Sequence, residues 1–139
     1  GALERRDSGG QGQGEAREAA VAALGRLCRL RAEQIAGLEG HLRRFLESLP
    51  LAEDPDQAGG AHELLLEFVE DGHPFFRQHA AAVCRVLLEV YNRETSSERV
   101  NAGIRHVFLQ VGKAQLEGMQ PPLTQKQRKR LEKILRDAR

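Results

Sequence analysis

The chain has 139 residues, 40% of them hydrophobic and 29% charged, which is about one domain's length and too apolar for a disordered chain. Its 21 Lys and Arg stand against 20 Asp and Glu, a net charge of +1, so overall charge points neither toward nor away from nucleic acid. Aromatics are scarce, helix formers such as Ala, Leu, Glu and Arg dominate, no apolar run reaches the roughly 18–20 residues of a membrane span, and residues 1–14 lack the apolar stretch of a signal peptide.

The Gly-rich stretch 8–14 reads as a flexible loop or tail, making 1–14 a separate segment. A first helix follows over 15–30, with Ala20, Ala23, Leu24, Leu27 and Cys28 on one face. A second covers 38–49, with Leu38, Leu42, Phe45, Leu46 and Leu49 inward, and ends at Pro50. A third covers 55–70, with Asp54 as N-cap, Pro55 as first residue, and Ala61, Leu64, Leu65, Phe68 and Val69 inward. Asp71-Gly72-His73-Pro74 breaks the chain. A fourth helix, 75–92, turns Phe76, Ala80, Val83, Cys84, Leu87 and Tyr91 inward. A fifth, 97–112, is capped near Ser97 and buries Val100, Ile104, Val107, Phe108 and Val111. Pro121-Pro122 stops the chain again, and a basic sixth helix within 123–137 opens on Thr124 with Gln127 completing a capping box. The expected fold is therefore all-α: about six helices in antiparallel pairs, offset by about 37–42 residues as in HEAT and armadillo solenoids. The first helix lacks a preceding partner, so the chain reads as the C-terminal piece of a longer solenoid with an apolar face left open.

Charge is segregated. Residues 45–76 hold eight acids and no Lys or Arg. Asp56, Glu63, Glu67 and Glu70 fall at steps of seven, four and three, one stripe of the third helix, with Asp71 at its end. Such a stripe attracts a Lys/Arg-rich partner in a salt-sensitive way, or it is simply a solvated face. The segment from 123 onward carries +5, which can meet an acidic partner or nucleic acid, or can sit in water while Leu131, Ile134 and Leu135 cover the solenoid end. It interleaves no aromatics for base stacking. The five histidines and two cysteines have no metal-ligand spacing, and no phosphate loop or nucleophile–base arrangement stands out, so neither enzyme chemistry nor a cofactor is expected. Cys28 and Cys84, set among apolar residues, read as buried reduced thiols.

Residues 17–28, Arg-Glu-Ala-Ala-Val-Ala-Ala-Leu-Gly-Arg-Leu-Cys, resemble the second helix of a HEAT repeat. Residues 46–54, Leu-Glu-Ser-Leu-Pro-Leu-Ala-Glu-Asp, the acidic helix end Glu63–Glu70 with its Gly72-His73-Pro74 break, and Pro121-Pro122-Leu123-Thr124 through Leu135 resemble the last repeats of karyopherin-beta (importin-beta) nuclear transport receptors. The branch resembled imports histones and ribosomal proteins. The match spans roughly 15–137 and departs at Ala19, where the family's Asn between repeats is absent, and in the more basic closing helix. The resemblance implies a receptor that binds basic cargo, meets Phe-Gly nucleoporins and Ran-GTP, and shuttles between cytoplasm and nucleus. It further implies preceding HEAT repeats in the same protein, no membrane and no direct nucleic acid contact. Asp56, Glu63, Glu67, Glu70 and Asp71 would then touch cargo. A HEAT scaffold outside transport, or a nucleic-acid-binding helical module, are the alternatives.

Overall fold

In the computed structural model, which describes residues 2–94 and 96–138, with side chains from residue 14 onward, the described chain consists of helices joined by turns and loops, and no strand occurs among the described residues. The helices are α1 (Ala2–Leu30), α2 (Leu38–Glu47), α3 (Pro55–Glu70), α4 (Pro74–Gln78), α5 (Ala80–Val90), α6 (Glu98–Val111), α7 (Lys113–Glu117) and α8 (Gln125–Asp137). A short 3-10 turn, Ala32–Gln34, lies between α1 and α2.

The local signals act as their chemistry dictates. The Asp54 carboxylate accepts from the amides of Asp56 and Gln57, and Pro55 opens α3. The Ser97 hydroxyl accepts from the Val100 amide and caps α6. Thr124 and Gln127 make both bonds of a capping box at α8.

The structure adds to or departs from these expectations at four points. First, α1 begins at Ala2, and its backbone runs through the Gly-rich stretch. Glycine weakens a helix by about 1 kcal/mol without forbidding it, and no proline interrupts residues 2–14. Second, the buried face of α1 is Glu18, Val21, Ala22, Gly25 and Cys28, while Ala20 and Leu27 point to solvent. The small residues win because the helices approach closely there. A Cβ on Gly25 would sit 2.5 Å from the Phe45 ring, which is fully buried on α2. Third, the fourth helix divides at His79 into α4 and α5. His79, at φ −112° and ψ 32°, leaves helical geometry there; Phe75 and Phe76 are both buried on the short α4, and α5 then turns Val83, Cys84 and Leu87 inward. Fourth, Gly112, at φ +88° and ψ 148°, ends α6 in a backbone conformation open to glycine, and the short α7 then carries Leu116 into the core.

Packing runs in succession. α1 lies on α2 and α3, α3 on α6, α6 on α8, and α5 also on α8. Among the described residues α1 makes no substantial contact with α6 or α8. One core threads these contacts, with Phe45, Leu65, Leu66, Leu87, Leu88, Ile104, Phe108, Leu131 and Ile134 all essentially without exposure. The Phe68 ring stacks on Phe76 at 4.8 Å between centroids and meets Phe45 edge-on at 6.2 Å. Cys28 and Cys84 are buried and unbridged, and burial pushes the Cys84 thiol up to about 11. No described helix is long and apolar enough to cross a membrane.

Candidate functional site

The acid stripe is set by α3 and by the two helices that flank it. Glu63 and Glu67 are half-buried, and Asp56, Glu70 and Asp71 are exposed. α3 starts where it does because of a buried carboxylate on α1. Glu18, 1% exposed, accepts from the amides of Ala52 at 2.8 Å, Glu53 at 2.9 and 3.1 Å, and Asp54 at 2.7 Å. Burial alone would raise its pKa, but the three amides outweigh burial and hold it below the ordinary carboxylate value. The polar link from this stretch of α1 to the segment before α3 is thus made by Glu18.

His62 completes this anchor. Fully buried on α3, its Nε2 accepts from the Leu51 amide at 3.0 Å. Its proton therefore sits on Nδ1, which has no partner among the described residues. Burial, helped by the charge of Arg93, pushes its pKa down to about 4, so the ring is neutral at physiological pH.

Two arginines that sequence reasoning missed straddle the stripe. Arg29, from α1, reaches Glu67 at 3.2 Å and Asp71 at 2.5 Å, and lies 5.8 Å from the Phe68 ring centroid. Arg99, from α6, reaches Glu63 at 3.3 Å and Glu70 at 3.4 Å. Arg26 lines a shallow cleft of about 190 Å³ with Gly60, Glu63, Leu64 and Glu67. The structure thus brings Glu63, Glu67, Glu70 and Asp71 together as a row closed by arginines at both sides. Asp56 stands two turns away at the start of the helix and joins none of these pairs. The pairing follows from packing order: α1 and α6 are the neighbours of α3, and their arginines face it. Spacing within one helix carries no trace of such partners.

Five acids against three arginines leave the surface acidic. Guanidinium and ammonium groups are the chemistry it can receive, by exchange with Arg29 and Arg99. Among the described residues no group of three or more His, Cys, Asp or Glu is placed to hold a metal ion. An apolar cavity of about 130 Å³ lies on the other side of α3's end, lined by Val69, Phe76, Val83, Cys84, Val107 and Val111 among others. Comparison with family models, curated proteins and solved structures gives no match.

Proposed function

We propose that the chain is the closing segment of a HEAT solenoid of karyopherin-beta type, and that α3 offers its acid row to basic protein cargo. The observation that carries this reading is the placement of the row. Its acids lie at the surface of the α1–α3–α6 succession, half-buried to exposed, with an excess of negative charge.

The two ends of the succession support the solenoid part. α1 has a second apolar face of Ala20, Ala23, Leu27 and Leu30, with Leu27 53% and Leu30 75% exposed. α8 has one apolar face only, Leu131, Ile134 and Leu135, and shows Lys, Arg and Glu on the other. A repeat array closes on a polar outer face and continues through an apolar one. Ran-GTP and Phe-Gly nucleoporins enter as partners through the family resemblance, as does shuttling between cytoplasm and nucleus. The arginine pairing favours a second reading, a HEAT scaffold whose acids chiefly join α1, α3 and α6.

The test is binding of a Lys/Arg-rich peptide with the sequence of a histone tail. Reversing Glu63, Glu67 and Glu70 to Lys should weaken binding by about tenfold or more and flatten its salt dependence. Unchanged affinity would remove the acid row from cargo binding. In the full-length protein, cargo that stays bound at saturating Ran-GTP would favour the scaffold.

A further inference from the structure

We propose that the cleft between α8 and the turn following α5 binds a compact ligand bearing several closely spaced phosphates. Lys126, Lys129, Arg130 and Lys133 recur at i, i+3, i+4 and i+7, one stripe about 10 Å long on α8. With Tyr91 and Asn92 they line an open cleft of about 410 Å³, and no acid is among its lining residues. Arg130 is held in place, its Nη1 donating to the carbonyls of Leu88 at 3.2 Å and Tyr91 at 3.4 Å. Those bonds use one edge of the guanidinium and leave its other N–H groups for a ligand. The turn is fixed as well. Asn92 adopts φ +60°, and its amide donates to the buried Asn101 side chain at 3.0 Å.

Lys126 and Lys129 are exposed, with no ion pair among the described residues. Lys133 lies 3.5 Å from Asp137, whose carboxylate also accepts from the Tyr91 hydroxyl at 2.8 Å. Four cations this close repel one another along the helix. A phosphate carries up to two charges and three acceptor oxygens, so a cluster of phosphates neutralises them within 10 Å, whereas carboxylates strung on a peptide bring one charge each. A nucleic acid strand is disfavoured because no ring is free for stacking. Tyr91 is 4% exposed, and its hydroxyl is held by Asp137 and by Arg105.

Calorimetric titration of the whole chain with inositol hexakisphosphate at about 100 mM salt tests this. One saturable site is expected, weakening as salt rises. Lys129→Gln with Lys133→Gln should lower affinity by about tenfold or more, while Arg128→Gln, exposed on α8 outside the cleft, should change it by less than about twofold. In the unmodified chain, amide shifts on binding should be confined to Tyr91, Asn92 and residues 126–133, a map that decides the question even if a variant fails to fold. Absence of saturation, an equal loss with Arg128→Gln, or tighter binding of a DNA duplex or a polyglutamate peptide would overturn the proposal.

Discussion

Replacing Glu18 by Ala removes one carboxylate and strands three amides at once, those of Ala52, Glu53 and Asp54. A hydrogen bond to a charged acceptor contributes about 1.5–3 kcal/mol, which for three amides sets an upper range of about 5–9 kcal/mol. Water relieves much of that loss, because Ala52 and Glu53 are exposed and only Asp54 is half-buried. The net cost of Glu18→Ala is therefore about 3 kcal/mol, and of Glu18→Gln, which keeps one acceptor oxygen, about 2 kcal/mol. Urea unfolding followed by far-UV circular dichroism measures both. The pH dependence gives a second check. Glu18's pKa is lowered by folding, so its contribution is complete above the unfolded carboxylate value near pH 4.5 and is lost as pH falls through the folded one. The gap between the unmodified chain and Glu18→Gln should close on acidification. A Glu18→Ala cost under about 0.5 kcal/mol, or a gap independent of pH, would refute the reasoning.

The folded pKa of His62, about 4 against 6.5 unfolded, means that the unfolded chain takes up the proton first. Stability is full above pH 6.5 and falls by about 3 kcal/mol as pH drops to about 4, and in His62→Leu urea midpoints should lose that slope. Gly25→Val should destabilise by about 1–3 kcal/mol, because its Cβ would meet the buried Phe45 ring; a neutral result in thermal unfolding would contradict the close approach of α1 and α2. Arg99→Ala breaks two exposed ion pairs and should cost under about 1 kcal/mol. The same change should tighten binding of the basic peptide about twofold or more at low salt, by fluorescence anisotropy, and weaker binding would count against the acid row. Leu27→Asp with Leu30→Asp should leave the urea midpoint nearly unchanged, within about 0.5 kcal/mol, since both side chains already face solvent. It should also abolish any concentration-dependent association seen by sedimentation.

Helix positions were legible in the sequence because their determinants are local. Asp54-Pro55, Ser97 and the Thr124/Gln127 pair act within a few residues, and all three cap their helices. What the sequence hid is contact across elements. Periodicity on α1 assigns Leu24 and Leu27 to the inside; Leu24 does pack against the core, while the close contact of Gly25 with Phe45 turns Leu27 out. The acids of α3 were legible as a row, but Arg29 lies 38 residues from Glu67, and Arg99 lies 36 and 29 residues from Glu63 and Glu70, so these pairs form only once α1, α3 and α6 pack. Glu18 stood in a segment singled out for a missing Asn. Its phase with Val21, Ala22 and Gly25 is the one sign that it points inward.

Residues 51–53, between α2 and α3, have no regular structure, and Glu18 holds the amides of two of them along with that of Asp54. The height at which α3 begins is thus indexed to α1, as a peg indexes a gear, and turning α1 by one residue, about 100°, would unseat it. Among the described residues the α3–α6 contact has no such peg. Gly103 lies against Leu66 there, and the polar links are the exposed pairs of Arg99. Under bending or stretching, α1 and α3 should travel as one rigid lever, and the joint should yield between α3 and α6.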